Sequence, residues 1–345
     1  MKRRTFLIGS ALAGATTLVA APAIAQSAPE IKWRLTSSFP KSLDTIFGTA
    51  QTFAAGEIVP GLQALDAVST ATVEMAQTPL YFYVGKEPTL TYATGAPFGM
   101  NHRHQHSWWT FGGGAELINE ALTPFKTHAI LCGNSGTQMG GWFRKEIKTV
   151  DDLKGLKFRI AGMGGHVLAK LGIVPQQIAG GDVYSALEKG SLDAAEFVGP
   201  YDDEKLGFHK VAKYYYFPGW WEGGAMLHMI VNQEKWSTLP KQYQAILNQA
   251  GTAAGAWMIE KYDSVNPAAL KRLIAGGAEL RAFPQPVMEA CYQATQEHLN
   301  EIAGKSALFK KTKESHDAYM KEVLSYTQIA ENYYDNFLLG KMRKG

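Results

Sequence analysis

An arginine stands in an apolar segment, where a positive charge needs an anionic partner. Arg159 lies between Phe158 and Ile160 in the alternating stretch 156–160, a pattern typical of a half-buried strand. A guanidinium that leaves water is costly unless an anion accepts its hydrogen bonds. Two partners remain open from the residues alone: a carboxylate of the chain itself, or a ligand carboxylate held by two parallel hydrogen bonds.

Two acids and one amide occupy similar surroundings. Glu196 ends the apolar segment 194–198, Glu222 lies among aromatic residues and glycines at 219–224, and Gln138 stands in a glycine-rich loop. Carboxylate and amide oxygens, without cysteine or clustered histidine, are the ligands that Na⁺ and Ca²⁺ prefer. The residues therefore predict an anion site with a cation beside it.

Two other patterns give weaker indications. The glycines at 162–165 imitate a dinucleotide-binding loop, but Val167 replaces the third glycine of that motif, so a loop approaching a small ligand is favoured over nucleotide binding. His102, His104 and His106 are interpreted as a solvated polar loop rather than a metal site, because nothing fixes them on a regular element.

Serine and cysteine chemistry lack support. Ser38 and Ser135 have neither a G-x-S-x-G context nor a nearby His–Asp pair, which argues against a serine hydrolase. Cys132 and Cys291 form no Cys-x-x-Cys pair and are predicted to be buried free thiols, with a disulfide between them left open.

The elements that would position these residues alternate between strand and helix patterns. Strands are predicted at 31–35, 128–131, 142–144, 156–160, 194–198 and 227–231. Helices are predicted at 62–76, 116–125, 166–171, 183–189, 239–262 and 287–339, the last with a break near Gly304. A capping box from Thr149 to Asp152 begins a single helical turn. This alternation indicates an α/β architecture.

Apolar and aromatic residues recur at helical spacing near the C-terminus, at Tyr319, Val323, Tyr326, Ala330, Tyr333 and Phe337. We call these six residues the aromatic stripe. Such a stripe is more often a packing face than a cofactor site, and this one is long enough to cover a neighbouring lobe or a second subunit.

Composition and charge exclude several classes of protein. The 345 residues are 46% hydrophobic and 19% charged, which excludes a disordered chain. The net charge of +3 comes from Lys2, Arg3 and Arg4, and the sequence after residue 25 carries equal numbers of basic and acidic residues. No overall field attracts nucleic acid, so nucleic-acid binding is not expected.

The first 25 residues predict an export signal. An arginine pair, Arg3 and Arg4, precedes a mild apolar run, and Ala23-Ile24-Ala25 is a small-x-small cleavage site. These features favour twin-arginine export over ordinary secretion and over a membrane anchor, since the apolar run is too short to span a bilayer. A periplasmic location is expected.

Seven runs of sequence together resemble the extracytoplasmic solute-binding proteins of TRAP transporters (the DctP-like family), and most of all the subgroup that binds 2-oxo acids or lactate with a metal ion. They are SLDT at 42–45, AAGEIVPG at 54–61, PFG at 97–99, QMGGWFRK at 138–145, DLKGLKFR at 152–159, AEFVGPYDD at 195–203 and PGWWE at 218–222. The resemblance covers essentially the whole chain after the export signal.

The resemblance implies a two-lobe periplasmic-binding-protein fold, a Venus-flytrap with a hinge, a ligand buried between α/β lobes, and long C-terminal helices. The expected division is lobe I at 26–140, lobe II at 141–225, a return to lobe I with a long helix at 226–285, and C-terminal helices at 286–345 that pack across the lobes or a dimer partner.

The resemblance also implies roles for site residues. Arg159 would bind the substrate carboxylate, and Gln138, Glu196 and the carbonyl of Phe197 would hold the cation. Glu222 is a further candidate for both cation and substrate. Gln138 would also lie beside the substrate, and an aromatic residue of the run from Tyr81 to Tyr83, with Tyr81 and Tyr83 as the candidates, would wall the pocket.

One segment departs from the family pattern. Relatives complete a long helix and a strand between the SLDT and AAGEIVPG runs, whereas here only residues 44–55 lie between Leu43 and Gly56. A helix of about 11 residues and a strand of about five do not fit in that length, so lobe I is expected to lack this helix–strand element.

The function implied is a receptor, not an enzyme, that captures pyruvate, another 2-oxo acid or lactate with Na⁺ or Ca²⁺ and delivers it to the small and large membrane subunits of the transporter. Two alternatives stay open: a periplasmic ligand sensor, and a secreted enzyme using Glu196 or Glu222 as a general base. The acid, the identity of the cation and the oligomeric state, for which a homodimer is a candidate, are not determined by the sequence.

Overall fold

The structure is a computed structural model that describes residues 29–47 and 53–342. Residues 29–32 belong to a separate unit from the rest, and within them Lys32 Nζ lies 3.0 Å from Glu30. The expected export signal at 1–25 and residues 48–52 lie outside the described residues. No helix among those described is long and apolar enough to cross a membrane.

In the part of the chain that the structure describes, ten strands form two sheets. They are β1 (Leu35–Ser37), β2 (Met75–Thr78), β3 (Thr127–Asn134), β4 (Gly141–Phe143), β5 (Lys157–Arg159), β6 (Val174–Gln176), β7 (Ala194–Ala195), β8 (Tyr214–Phe217), β9 (Met226–Asn232) and β10 (Glu279–Ala282). One sheet has the order β1-β2-β9-β3 and the other β10-β8-β4-β7-β5-β6. Both mix parallel and antiparallel pairs. The predicted α/β fold with two lobes is confirmed.

Thirteen α-helices in the described residues cover these sheets. They are α1 (Asp44–Phe47), α2 (Ala64–Ser69), α3 (Thr91–Thr94), α4 (His102–Phe111), α5 (Gly114–Leu122), α6 (Gly162–Lys170), α7 (Val183–Glu188), α8 (Pro200–Leu206), α9 (Gln233–Thr238), α10 (Lys241–Ala275), α11 (Gln285–Ala303), α12 (Ala307–Thr327) and α13 (Tyr333–Met342). Short 3₁₀ turns and one π-helical turn, Gln328–Asn332, connect several of them.

Two short chain segments without helices longer than one turn cross between the sheets, and a third connection, through α10, is helical. The first crossing, residues 135–140, runs from β3 to β4, and the second, residues 218–225, runs from β8 to β9. Helix α10 accompanies them, because Gly251 lies against the carbonyl of Leu131 in the first sheet and Tyr262 donates to Asp202 in α8 (2.5 Å).

The expected division returns residues 226–285 to lobe I, and this is wrong for the last residues of that range. Strand β9 joins the first sheet, but β10 pairs in parallel with β8 in the second sheet, with Glu279 opposite Tyr214. The physical reason is the length of α10, whose 35 residues carry the chain back to the second lobe.

Four predicted elements differ from the structure. The predicted helix 62–76 ends at Ser69, and its last residues enter β2. The histidine segment is not a solvated loop but helix α4, whose N-terminus is capped by the Asn101 side chain accepting from His104 N (3.0 Å). The glycines at 162–165 form the first turn of α6, and α10 continues past Tyr262 to Ala275 despite Pro267. Periodicity did not reveal these boundaries because tertiary packing sets them.

In the short segment 44–55, the residues that the structure describes are 44–47 and 53–55, and they contain one helical turn and one bridged residue. Helix α1 has four residues, and beyond it Phe53 makes a single parallel bridge with Thr36. Its carbonyl accepts from Ser37 N (2.8 Å) and its amide donates to Leu35 O (2.9 Å). At the β1 edge of the sheet, the described residues thus provide one bridged residue instead of a further strand.

Other local predictions are confirmed. The capping box at Thr149 and Asp152 is present. Cys132 and Cys291 are free and buried in different apolar clusters, and burial raises the pKa of each thiol to about 12. An inert thiol is therefore expected at both positions.

The aromatic stripe divides into two parts. Tyr319 and Val323 pack against the core of the first lobe, and the Tyr319 hydroxyl bonds to Ser107. Tyr326, Tyr333 and Phe337 are more than half exposed. Only the later part of the stripe is available to cover another surface.

Buried neutral histidines make the first lobe sensitive to acid. His228 on β9 packs against Trp109 with 4.6 Å between ring centroids and 49° between the ring planes, and neither of its ring nitrogens has a hydrogen-bond partner among the described residues. Burial lowers its pKa to about 3, and neighbouring His106 adds repulsion. Between pH 6.5 and about 3, the His228 side chain binds a proton in the unfolded chain but not in the folded chain. The free energy of unfolding therefore falls as the pH falls through this range.

We expect His228→Phe to lose less stability on acidification than the parent. The variant keeps an aromatic ring against Trp109 and removes the titrating group. The slope of unfolding free energy against pH between 6 and 4 should decrease by up to about 1.4 kcal/mol per pH unit. Urea unfolding at a series of pH values measures it. Substitution of the exposed Phe111 by Leu removes no titrating group, so it serves as the control and should leave the slope unchanged. An unchanged slope in His228→Phe would contradict the assignment.

Candidate functional site

A buried ion pair joins two neighbouring strands of the second lobe. Arg159 ends β5 and Glu196 directly follows β7, its parallel neighbour. Arg159 Nη1 donates to Glu196 Oε1 (2.5 Å) and to the Glu196 carbonyl (2.6 Å), while Nε donates to the Ile178 carbonyl (3.3 Å). Both side chains are 2% exposed. The internal carboxylate partner left open by the sequence is thus present.

The ion pair leaves one atom on each side without a partner. Arg159 Nη2 has no hydrogen bond to any residue that the structure describes, and Glu196 Oε2 is a buried oxygen in the same condition. Glu196 Oε1 also accepts from Ala161 N (3.0 Å). Burial raises the pKa of Glu196 and the Arg159 charge opposes that rise. The guanidinium can therefore hold Glu196 and still donate to a ligand.

The two crossing segments bring Gln138 and Glu222 into the interior. The backbones of the crossings meet where Gly219 N donates to the Gln138 carbonyl (2.9 Å). Gln138 Oε1 is buried and has no partner among the described residues, and the same holds for both carboxylate oxygens of Glu222, which is 1% exposed. Burial, with added repulsion from Glu196, raises the pKa of Glu222 well above its ordinary value.

These residues fit a hard cation. In this set of residues, four buried side-chain oxygens lack partners among the described residues: Gln138 Oε1, Glu196 Oε2 and both oxygens of Glu222. Buried polar atoms are normally hydrogen-bonded, so four such oxygens call for a ligand. Carboxylate and amide oxygens are the donors that Na⁺ and Ca²⁺ take, and the Phe197 carbonyl lies next in the chain to Glu196.

The histidines of α4 do not form an alternative site. Among the described residues, no group of three or more His, Cys, Asp or Glu side chains could hold a metal ion. The set built on Gln138 is compatible with that finding, because it contains only two carboxylates and requires an amide oxygen.

Of the two candidate tyrosines, the structure places only Tyr81 with these groups. Burial, with added repulsion from the charges of Glu222 and Glu196, raises the pKa of Tyr81 well above its ordinary value. The prediction for Tyr83 is not supported, because its hydroxyl accepts from Leu65 N (3.2 Å) and bonds to Thr78 (3.1 Å) inside the core of the first lobe. Tyr81 and Tyr83 belong to a 3₁₀ turn, Leu80–Tyr83, in which nearby residues point in different directions. The sequence run alone could not show this.

Phe197 contributes a ring as well as a carbonyl. Its ring lies 5.3 Å from Arg159 Cζ, within the range of a cation–π contact. It also packs against Gly180, where an added Cβ would lie 2.4 Å from the ring. The ring thus helps to orient the guanidinium.

Sequence reasoning missed the reason for one glycine. Gly162 begins α6 with a φ of +65°, and an added Cβ would lie 2.5 Å from the Tyr81 ring. The glycine-rich run signalled a close approach, but the approaching group is an aromatic ring of the other lobe. Gln177 Nε2 also donates to the Phe82 carbonyl across the lobes (3.0 Å). The lobes therefore meet around the buried site.

Comparison with known proteins identifies the family. The family model for bacterial extracellular solute-binding proteins, family 7 (DctP), matches residues 48–306. This chain belongs to that family. It is a solute-binding protein of the kind that serves TRAP transporters, a receptor and not an enzyme.

Relatives of this family member are similar over nearly their whole length. A monocarboxylate 2-oxoacid-binding periplasmic protein of a Nostoc species is 44% identical over 98% of this chain and 99% of its own. A TRAP transporter solute-binding protein of Bordetella bronchiseptica, a mixed-occupancy dimer with calcium and picolinate in one active site, is 44% identical, with a TM-score of 0.90 over 92% of this chain and 99% of its own. One from Pseudoalteromonas atlantica, with bound sodium and pyruvate, is 37% identical, with a TM-score of 0.84 over 89% of this chain and 99% of its own.

The unpartnered carboxylate should make Glu222 a destabilising residue in the cation-free protein. A raised pKa in the folded state means that stability is lost as pH rises through it. Glu222→Gln keeps the shape without that loss, so it should stabilise the cation-free protein by about 1–3 kcal/mol at pH 8, with the difference shrinking towards pH 5. Thermal unfolding after chelation and removal of Na⁺ measures this.

A matched change at a half-exposed acid, Glu146→Gln, serves as the control and should not stabilise, because Glu146 pairs with Arg281 (2.8 Å). A Glu222→Gln protein less stable than the parent at pH 8 would show that Glu222 has a partner in solution.

Proposed function

We propose that this protein is the periplasmic receptor of a TRAP transporter for a small 2-oxo or 2-hydroxy monocarboxylate, such as pyruvate, another 2-oxo acid or lactate, bound together with Na⁺ or Ca²⁺. The observation that carries the proposal is the set of buried oxygens without partners beside an arginine with a free Nη2. Relatives with bound pyruvate and sodium, or picolinate and calcium, support the same chemistry.

Each residue has a role in this proposal. Arg159 donates from Nη2 to the ligand carboxylate. Gln138, Glu196, Glu222 and the Phe197 carbonyl hold the cation, which neutralises charge and contacts the 2-oxygen of the ligand. Tyr81 walls the pocket from the first lobe.

Charge explains why cation and acid should bind together. Arg159, Glu196 and Glu222 sum to −1 when all are ionised, so a second anion entering this desolvated space meets net repulsion. A cation removes that repulsion, and each ligand then raises the affinity for the other by the same factor. Closure of the lobes over both ligands is the function of such a receptor.

Export and delivery complete the proposal. The predicted twin-arginine signal at 1–25 would place the protein in the periplasm, where it would release its ligand to the small and large membrane subunits of the transporter.

The direct experiment is a thermal-shift screen of carboxylic acids with and without Na⁺ or Ca²⁺, on the chain without residues 1–25. A true ligand at a hundredfold excess over its Kd stabilises by roughly 2.7 kcal/mol. Pyruvate or lactate should stabilise only in the presence of a cation. Turnover of the acid during incubation would favour the enzyme alternative and contradict the proposal.

The carboxylate role of Arg159 gives a sharp prediction. Arg159→Met should weaken pyruvate binding by roughly 2–5 kcal/mol, because it leaves a carboxylate unpaired in a desolvated site. Arg159→Lys should fall between, since an ammonium does not form the planar fork. Titration calorimetry with pyruvate in saturating Ca²⁺ measures both.

The matched control is Arg281→Met, because Arg281 also forms ion pairs in the second lobe, with Glu146 and Glu279, which are partly exposed and do not involve Glu196. Pyruvate should bind this variant as it binds the parent. Parent-like binding by Arg159→Met would place the carboxylate elsewhere.

We also propose that the exposed end of the aromatic stripe joins two copies of the chain. Tyr326 lies in the last turn of α12, Tyr333 and Phe337 lie on α13, and all three are more than half exposed. An apolar face of that extent is unfavourable in water unless something covers it. The Bordetella relative is a dimer, which supports a second copy as the occupant.

Removal of residues 328–345 should therefore give a folded monomer. Helix α12 stays, because Phe309 is fully buried and Trp108 Nε1 donates to Ser315 (3.1 Å), so a cut before Thr312 would damage the core instead. Analytical ultracentrifugation at micromolar concentration measures the oligomeric state of the full-length chain and of the shortened chain. Binding of pyruvate by the shortened chain shows that it is folded. A full-length chain that is already monomeric would contradict the proposal.

A further inference from the structure

A serine joins the two crossing segments next to Gln138. Ser135 directly follows β3 and is 4% exposed. Its amide donates to the Ala225 carbonyl (3.1 Å), and its Oγ accepts from Ala225 N (3.1 Å). Ala225 is the last residue of the second crossing, three residues after Glu222. One side chain thus ties together the segments that carry Gln138 and Glu222.

The same hydroxyl contacts the amide of Gln138. Gln138 Nε2 donates to Ser135 Oγ at 3.1 Å, and the hydroxyl itself donates to the buried Gly136 carbonyl at 2.9 Å. A serine hydroxyl has one proton and accepts at two lone pairs. With the proton on Gly136 and both lone pairs used by Gln138 and Ala225, the hydroxyl can only accept from the amide.

This arrangement decides which end of the amide faces the site. If the side-chain amide of Gln138 were flipped, its carbonyl oxygen would face the lone pairs of the Ser135 hydroxyl. If the hydroxyl then turned to donate to Gln138, the Gly136 carbonyl would lose its hydrogen bond. The Nε2 end is therefore held at Ser135, and Oε1 is the end without a partner. The turn beneath is also fixed, because Asn134 Oδ1 accepts from Gly136 N (2.9 Å) and Asn134 Nδ2 donates to Gln105 (3.1 Å).

We propose that Ser135 is a positioning residue for the cation: it fixes the Gln138 amide with its oxygen towards the ion and links that ligand to the crossing that carries Glu222. The inference rests on the proposed function, since it concerns the same cation. Groups that orient metal ligands without touching the ion commonly change metal affinity by about 10–100-fold when removed.

The test measures Ca²⁺ affinity by titration calorimetry on the metal-depleted chain without residues 1–25, in the absence of any acid. Ser135→Ala should raise the Kd for Ca²⁺ at least tenfold, because the amide loses the partner that orients it. Gln138→Ala should raise it by as much or more. The double variant should bind Ca²⁺ no more weakly than Gln138→Ala alone, because Ser135 acts through Gln138.

A matched control separates positioning from general stability. Ser38 is another buried serine with two hydrogen bonds, to the Gly61 carbonyl (2.6 Å) and to Thr78 (2.8 Å), in the first lobe. Ser38→Ala should lower thermal stability as Ser135→Ala does but leave the Kd for Ca²⁺ unchanged. Should Ser135→Ala fail to fold, Ser135→Cys keeps the volume with a weak acceptor, and the same rise in Kd is expected.

The outcomes distinguish the two proposals. A parent protein without Ca²⁺ binding, and without cation-dependent binding of pyruvate, overturns the proposed function. A parent that binds Ca²⁺, a Gln138→Ala variant that loses it and a Ser135→Ala variant that binds as the parent overturn the positioning role alone. A double variant whose loss of Ca²⁺ affinity equals the sum of the two single losses, in free energy, also overturns it.

Discussion

The cost of keeping charge away from water governs how this molecule is built around its site. Arg159 and Glu196 are both withdrawn from solvent, and the ion pair between them is supported by further hydrogen bonds, from Ala161 N to Glu196 Oε1 and from Arg159 Nε to the Ile178 carbonyl. The pair fixes the carboxyl end of β5 against that of β7. It also leaves Nη2 of the arginine and Oε2 of the glutamate free, one a donor and the other an acceptor.

The rest of the site follows from that pair. Glu222 arrives from the second crossing with no hydrogen-bond or ion-pair partner among the described residues, and the charge of Arg159 is shared with Glu196, so this part of the interior has an excess of negative charge and of unpartnered oxygens. A folded protein rarely keeps such a cluster for its own stability. The arrangement is favourable once a cation and an acid are present, which ties the stability of the closed lobes to the ligands.

The crossing segments explain how binding reaches both lobes. Gln138 belongs to one crossing and Glu222 to the other, and the backbones of the two crossings are joined by Gly219 N on the Gln138 carbonyl and by Ser135 with Ala225. Tyr81 reaches over from the first lobe to Gly162 at the start of α6. Under the proposed function, a ligand held here would contact the crossing segments and both of the surfaces that close over it.

The sequence by itself determined the class of chemistry and the order of the elements. Arg159, Glu196, Glu222 and Gln138 could be selected because charged and amide groups among apolar residues and glycines need partners, and the α/β alternation and the two free cysteines could also be predicted. The boundary between α2 and β2 and the helical state of His102 to His106 could not, because packing against the sheet decides them. Only the tertiary structure decided that Arg159 is paired internally, that Tyr81 rather than Tyr83 approaches the site, and that β10 returns to the second sheet. The physical reason is that each of these features depends on contacts between residues far apart in the chain. The local sequence pattern indicates whether a residue is buried, but it does not indicate which residue contacts it.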